Sequence, residues 1–371
     1  MAKAFEGLKV IDFSRVLAGP FAAAQLALLG ANVIKVEEPG KGDQARQLMS
    51  EGALRDEFMA PLYMSVNSGK RSMTLDLKNP EARDIVRRLV QDADVFIQNF
   101  KAGAIARLGF GYEDLKAINP SLVYCSISGY GQEGPKAGAA AYDGAIQSAV
   151  GMPSTTGFPD NGPTRVGFTV VDMTTGITAA YAIAGALFRR QVTGEGQHLD
   201  VAMFDAALTQ ISVNVAKFTT TGDEPELLGN QSSSKLATAD QFRARTGFVQ
   251  STALVDSQIK ALLEVLGDEA VANDPRYKTF EGREEHKDAL RVELARLFLN
   301  DDADNWVRKL SAAGVPCSRV SSISEALKEP QLDHRNVIME LPAPAGLTDP
   351  LRLVGAGFQA SEDSPGTNRP P

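Results

Sequence analysis

An α/β architecture with a largely parallel sheet is what this sequence predicts, and three observations carry it. Short apolar, β-branched runs alternate with helix-like segments through the first third of the chain. Proline and glycine punctuate those segments where helices start and stop. From about Thr219 the composition turns polar and amphipathic helices follow, which predicts a second, smaller α+β domain. The 371 residues are 43% hydrophobic and 23% charged, an ordinary globular composition. Single cores stop growing at roughly 250–300 residues, so two domains are expected.

The elements follow in order. Leu8 to Ser14 (LKVIDFS) is the first strand. Ala18-Gly19-Pro20 leads into the helical FAAAQLALLG, where Pro20 fits the first turn and Gly30 fits the end. ANVIKVEEP is the second strand, cut off by Pro39, and SMTLDLK is the third. Asn79-Pro80 caps and starts the helix EARDIVRRLVQDA; DVFIQNF is a strand, YEDLKAI a short helix and SLVYCSIS a strand. This βαβα rhythm implies a Rossmann-like large domain with helices on both faces of its sheet. Residues 129–172 are rich in Gly, Ala and Pro, and loops of that length in a compact domain are either functional or disordered. A long apolar helix runs from Thr174 to Arg190, and HLDVAMFDAALTQISV is strand then helix. The large domain is placed at 1–215, a linker and small domain at 216–320, and a return segment to the large domain at 321–371.

Bulk properties exclude several functions. A net charge of -8 and a pI near 5.1 argue against nucleic-acid and anionic-membrane partners. Two cysteines, Cys125 and Cys317, make neither a disulfide framework nor a zinc site. The start MAKAFEGLKVIDF has no signal-peptide character, and no uninterrupted apolar window reaches the ~18 residues of a membrane span. A soluble cytoplasmic protein without a metal site is expected.

Single motifs decide little. The opening βαβ unit invites a dinucleotide reading with Glu37 as the ribose-binding acid, but the turn Arg15-Val16-Leu17-Ala18-Gly19-Pro20 has no G-x-G-x-x-G. Such a turn still suits a phosphate or another polar group. Lys70-Arg71, Lys101 and Arg107 lie near strand ends, where cations hold phosphates, although most loop cations are merely solvated. Asp172 joins the strand-like VGFTVVD to a helix. It reads either as an N-cap or as a carboxylate nucleophile at a helix N-terminus. G-x-S-x-G and the P-loop are absent, and His198, His286 and His334 stand beside no evident nucleophile in the sequence. Cys125 reads as a buried small hydrophobe.

Taken together, GLKVIDFSRVLAGPF, LGANVIKVEEPGKGD with Arg46, NSGKRSMTLDLK, DVFIQNFKAGAIARLGF, NPSLVYCSISGYGQEGP, RVGFTVVDMTTG and TGEGQHLDVAMFDA form a series. DPRYKTFEGREEH and AAGVPCSRVSSISEALKEPQL continue it. Over nearly its whole length the chain resembles the class III CoA-transferases, the family of formyl-CoA and carnitine CoA-transferases. The resemblance implies that Asp172 is the catalytic aspartate, and that Arg15, Ala18, Lys70, Asn99, Phe100, Lys101 and Arg107 bind coenzyme A. It implies acyl-CoA and carboxylate substrates, no permanent cofactor, and an interlocked homodimer, for which long linkers around 205–235 and 314–340 are suited. In the implied mechanism CoA passes through a covalent aspartyl intermediate.

Departures narrow the expectation. The run of glycines found in formyl- and oxalate-type enzymes is absent from QSSSKLATADQFRARTGF, and Leu17 stands where formyl-CoA transferases carry glutamine. The short L-G-x-H-T helix usual in the family is not found before Arg369-Pro370-Pro371. The alternatives are a 2-methylacyl-CoA racemase, a noncatalytic CoA-binding protein and, remotely, a dehydrogenase. A racemase needs a second acid/base, and its G-H-D stretch is here Ala141-Tyr142-Asp143.

Overall fold

The computed structural model describes residues 2–344 and 346–371. The chain divides into two compact units: one comprises the chain to Met152, Arg165–Asp223 and Pro330–Pro371, the other Pro153–Thr164 and Glu224–Glu329. The units part after Asp223 and Glu329, later than the expected 215 and 320, because a helix at Ser212–Thr221 and the stretch up to Glu329 continue their respective units.

The main sheet of the first unit has six strands, β1 Lys9–Asp12, β2 Asn32–Glu37, β3 Arg71–Thr74, β4 Val95–Gln98, β5 Val123–Ser128 and β6 Gln197–Ala202. All pair in parallel, in the order β3-β2-β1-β4-β5-β6. Helices α1 Ala18–Leu28, α2 Pro61–Asn67, α3 Pro80–Val90, α4 Tyr112–Lys116, α5 Asp143–Ala149, α6 Val170–Thr193, α7 Met203–Gln210 and α8 Ser212–Thr221 accompany them. Successive strand residues bury on opposite faces: Val10, Val33, Val95 and Cys125 pack under α1 and α6, while Ile11, Phe96 and Tyr124 pack under α3 and α4. That double burial is why these strands read as apolar runs rather than as alternating ones. The stretch 203–221, expected in part as linker, is helical.

Helix α6 is long and apolar enough to cross a membrane by length and composition. One stripe of it, Ala179, Ile183, Ala186 and Leu187, is buried in the core on the sheet. Gly176 sets its approach to α1, since a Cβ there would lie 2.8 Å from both the Ala18 carbonyl and the Phe21 ring. The helix also begins earlier than expected. Val170 and Val171 are helical rather than extended, and Asp172 sits inside the first turn with Thr169 at the N-cap. The β-branched run that suggested a strand packs Val171 into a small core with Ile146, Met152 and Met203 instead.

The second unit has a three-stranded antiparallel sheet, β7 Gln241–Arg243, β8 Phe248–Ser251 and β9 Cys317–Arg319. Helices α9 Asp256–Leu266, α10 Lys287–Phe298 and α11 Ala303–Ala312 cover it around Leu262, Leu294, Phe298 and Trp306. It is an α+β unit, as the amphipathic helices of its sequence suggest.

Candidate active site

The strand order reverses direction between β1 and β4, and ligands of open parallel sheets bind at the carboxyl ends of strands beside such a switch point. Both loops leaving that point are rigidly held. After β1, Asp12 accepts from the Ser14 N–H at 2.9 Å and from its hydroxyl. Asn99, after β4, clasps Arg15 by accepting from its N–H and donating to its carbonyl, at 2.8 and 2.7 Å. Asp43 accepts from the Val16 N–H with both oxygens at 3.1 Å. That grip stabilises the left-handed conformation of Val16 (φ 68°), unfavourable for a β-branched residue. Lys35 donates to the Ser14 carbonyl at 2.7 Å and pairs with Asp43 at 2.9 Å.

This turn borders a cavity of about 450 Å³. Its wall comprises Arg15 to Ala18, Gln44, Asn99 to Ala102, Ile127 to Gly131, Gly138 to Tyr142, Asp172 and Met203. Arg15 lies 5.1 Å over the Phe100 ring. A second cavity of about 180 Å³ is lined by the same Arg15 and Phe100 with Phe13, Val36, Leu75, Leu77, Lys78 and Leu108, and with the acids Glu37, Glu38 and Asp76.

Asp172 is half-buried on the wall of the larger cavity. No residue among those described donates a hydrogen bond to its carboxylate or pairs with it. The helix end beneath it is capped by another residue: buried Asp143, first in α5, accepts from the N–H groups of Val171 at 2.8 Å and Asp172 at 3.1 Å. Burial, and then the neighbouring Asp143 charge, push the Asp172 carboxyl up to about 7. The helix terminus was expected to stabilise the anion; here its second and third N–H groups are taken by Asp143. A carboxylate so placed is reachable, unpaired and unusually basic, which equips it to attack a carbonyl carbon.

A profile of CoA-transferase family III matches residues 5–371. The chain belongs to CoA-transferase family III. It is 38% identical to the succinate–glutarate CoA-transferase of Agrobacterium fabrum over 93% of this chain and 86% of that one. It is also 38% identical to the acetyl-CoA:oxalate CoA-transferase of Acetobacter aceti, over 98% and 92% of the two chains. The crystal structure of a CaiB/BaiF family protein from Brucella suis matches with a TM-score of 0.89 at 33% identity, covering 100% of this chain and 96% of that one. The enzyme is a class III CoA-transferase.

The structure brings together most, though not all, of the residues singled out in the sequence of this CoA-transferase. Arg15, Ala18, Asn99, Phe100, Lys101 and Asp172 share one cavity wall. Arg107 is exposed beside Gly103 and lines neither cavity. Lys70 is not on that wall. Its ammonium is buried and donates to Asp12 at 2.9 Å, the Pro20 carbonyl at 2.8 Å and Asn67 at 2.9 Å. All three donors of a lysine are thereby used, so Lys70 supports the β1–α1 turn from beneath. Burial lowers it to about 8 against the pull of Asp12. Glu37 is likewise structural: it accepts from Arg46, Ser72 and the Asp43 N–H.

Sequence reasoning missed Gln44, Tyr130 and Tyr142, which reach the cavity from separate loops. The stretch AAAYDG with the preceding glycines carried a weak signal for the last of these. His198 also proves to have a hydroxyl partner, since its Nε2 lies 2.9 Å from Ser126 Oγ. The parallel register sets Tyr124 beside His198, leaving Ser126 diagonal to it on the same face. Ser126 also accepts from Gln98 and is buried in the sheet, so the pair is no hydrolase site. Cys125 is buried with its thiol pushed up to about 12 by burial, as an inert core residue should be.

Proposed function

We propose that this enzyme moves coenzyme A from an acyl-CoA thioester to a carboxylic acid through a covalent intermediate on Asp172, and that its acids are dicarboxylates. One observation carries the covalent reading: Asp172 stands on the wall of a 450 Å³ cavity as a half-buried carboxylate without a cationic partner. The dicarboxylate class is supported by the succinate, glutarate and oxalate in the names of its relatives.

The steps balance without any further reactant. The Asp172 carboxylate attacks the thioester carbonyl; the C–S bond breaks and CoA thiolate leaves, giving an aspartyl–acyl anhydride. The thiolate attacks the aspartyl carbonyl, releasing the donor acid and leaving an aspartyl-CoA thioester. The acceptor carboxylate attacks that thioester, forming a second anhydride and freeing the thiolate. The thiolate then attacks the acceptor's acyl carbon, which yields the new acyl-CoA and regenerates the Asp172 carboxylate. Arg15 and Phe100, shared by both cavities, suit the adenine ring, with Lys78 and Lys101 on the cavity walls as cations for the CoA phosphates. A racemase reading lacks its base: Tyr142 stands where the histidine would be, a phenol is a poor base at neutral pH, and Asp143 is engaged in capping.

A homodimer is proposed as well. Helix α6 leaves Ile177, Tyr181, Phe188 and Val192 exposed along one stripe, a surface that suits burial against a second copy. The free thiols of Cys125 and Cys317 accord with a reducing cytoplasm. Light scattering tests the first point; a stable 39.6 kDa species would refute it.

The deciding experiment incubates the enzyme with succinyl-CoA and then hydroxylamine. A hydroxamate at Asp172, found by peptide mass, is expected. Asp172→Asn should fold, bind CoA and carry no adduct. An unmodified Asp172 peptide with an active Asn variant would overturn the reading.

A further inference from the structure

The Asp172 side chain is unsupported, but the turn that bears it is not. Asp143 is buried, comes from a different helix, and accepts from the two N–H groups that an N-cap side chain would normally take. Thr169, the actual N-cap, makes no such bond. Asp143 is held in turn: Gln147, one turn along α5 and fully buried, donates to its other oxygen at 2.6 Å. Gln147 Oε1 accepts from the Val166 N–H at 2.9 Å, which ties the segment entering α6 to the same cluster. No arginine or lysine pairs with Asp143 among the described residues. An uncompensated buried carboxylate is costly, and a neutral asparagine or serine would cap a helix about as well. Capping alone therefore does not account for an ionisable group at this position.

We propose that Asp143 is a positioning residue of the transfer reaction: it fixes the first turn of α6 through two backbone bonds and, by its unpaired charge beside the nucleophile, makes Asp172 a stronger attacking group. The proposal rests on the reading of Asp172 as nucleophile. The chemistry is straightforward. A carboxylate that accepts backbone N–H bonds or faces a cation is a poor nucleophile, because its lone pairs are engaged. Asp143 takes the two N–H groups itself and opposes them with a negative charge, leaving the Asp172 oxygens free. It is also consistent with the raised Asp172 carboxyl, for which burial is the larger cause and Asp143 the second.

Other charged groups leave Asp143 as the immediate neighbour. Arg15 and Lys101, with Tyr130 and Tyr142, line the cavity that Asp172 faces. Helix α1, packed on α6, carries no titratable side chain. Asp205 of α7 and His198 and Asp200 of β6 sit on elements packed against α6 but not on the cavity wall.

The test begins without substrate. Protein labelled with carboxyl-¹³C aspartate is titrated by NMR, with Asp172→Asn assigning the Asp172 signal. The wild-type midpoint is expected near 7. In Asp143→Asn it should fall by ~0.5 unit or more while staying above the ordinary value of about 4, because burial remains. In Gln147→Leu, which loosens Asp143 but keeps its charge, the midpoint should stay. The rate of CoA-adduct formation on Asp172 from succinyl-CoA, followed by rapid quench and intact mass, should fall ~10-fold at its high-pH plateau in both variants. Its acid limb should move to lower pH in Asp143→Asn alone. A wild-type midpoint near 4, or an Asp143→Asn enzyme with an unchanged midpoint and plateau rate, would overturn the proposal. Should Asp143→Asn not fold, the wild-type titration and Gln147→Leu still decide. Failure of the nucleophile reading is a separate result, seen as absence of any adduct on wild-type Asp172.

Discussion

Two acids of the first unit, buried Glu37 and half-buried Asp172, meet opposite fates. Both are desolvated, which by itself raises a carboxyl. Glu37 ends β2, accepts from Arg46 at 2.7 and 2.8 Å, from Ser72 at 2.7 Å and from the Asp43 N–H at 2.7 Å, and is drawn down to about 2. Asp172 has no such donor, faces another carboxylate and is pushed up to about 7. The first arrangement is what a scaffold needs: the charge is compensated and the β1–α1 turn is locked. The second is what a nucleophile needs, since an acid that is already satisfied gains nothing by bonding to a substrate. The same contrast separates the two loops of the site. Around Ser14, Arg15 and Val16 nearly every polar group is spoken for, whereas the 129–142 segment presents a glycine-rich wall to the cavity.

The comparison can be broken from either end. The largest effect is expected at Asp172: replacement by Asn should lower turnover ~1,000-fold or more, while calorimetry shows CoA binding within a few-fold of wild type. A loss confined to KM would move Asp172 from chemistry to binding.

Glu37→Gln should cost stability instead, by about 2–4 kcal/mol in urea unfolding, since it strands the half-buried Arg46 guanidinium. The sign with pH follows from the lowered carboxyl. Glu37 stabilises the fold fully above its unfolded value of 4.5, and that contribution fades as pH falls toward 2. The variant and the wild type should therefore converge in stability at low pH.

For Asp172 the sign is reversed. Its folded value lies above the unfolded 3.8, so the fold loses stability as pH rises from about 4 to 7 and the loss levels off above that. Asp172→Asn should melt a few degrees higher than wild type at pH 8 and show little difference near pH 4. A lower melting temperature at both values would mark Asp172 as a structural cap.

The smallest effect sharpens the binding side. Arg15→Ala removes the guanidinium from the Phe100 ring and should weaken CoA by about 2–5-fold, in line with cation–π contributions of ~0.5–1 kcal/mol. Lys70→Met should leave CoA contacts intact but lower the melting temperature, because it uncovers buried Asp12. A selective loss of CoA affinity there, without loss of stability, would restore Lys70 to the binding site.

By itself the sequence determined the parallel sheet and its flanking helices, and it singled out Asp172 as the candidate nucleophile. The first two are local: apolar runs of strand length and Asn-Pro or Gly stops are legible because each depends on neighbours only a few residues away. The third came from a series of motifs along the whole chain. Only the tertiary structure decided what each charge does. Lys70 and Lys101 read alike in sequence, as lysines next to strands. One is buried on Asp12, from a strand distant in the chain, and the other lines the cavity. Asp172 read as a junction residue at the edge of a helix, yet it lies inside one whose cap comes from Asp143, 29 residues earlier. Desolvation and pairing are set by groups far apart in the chain, and it is these that separate a carboxylate that holds the fold together from one that can attack a thioester.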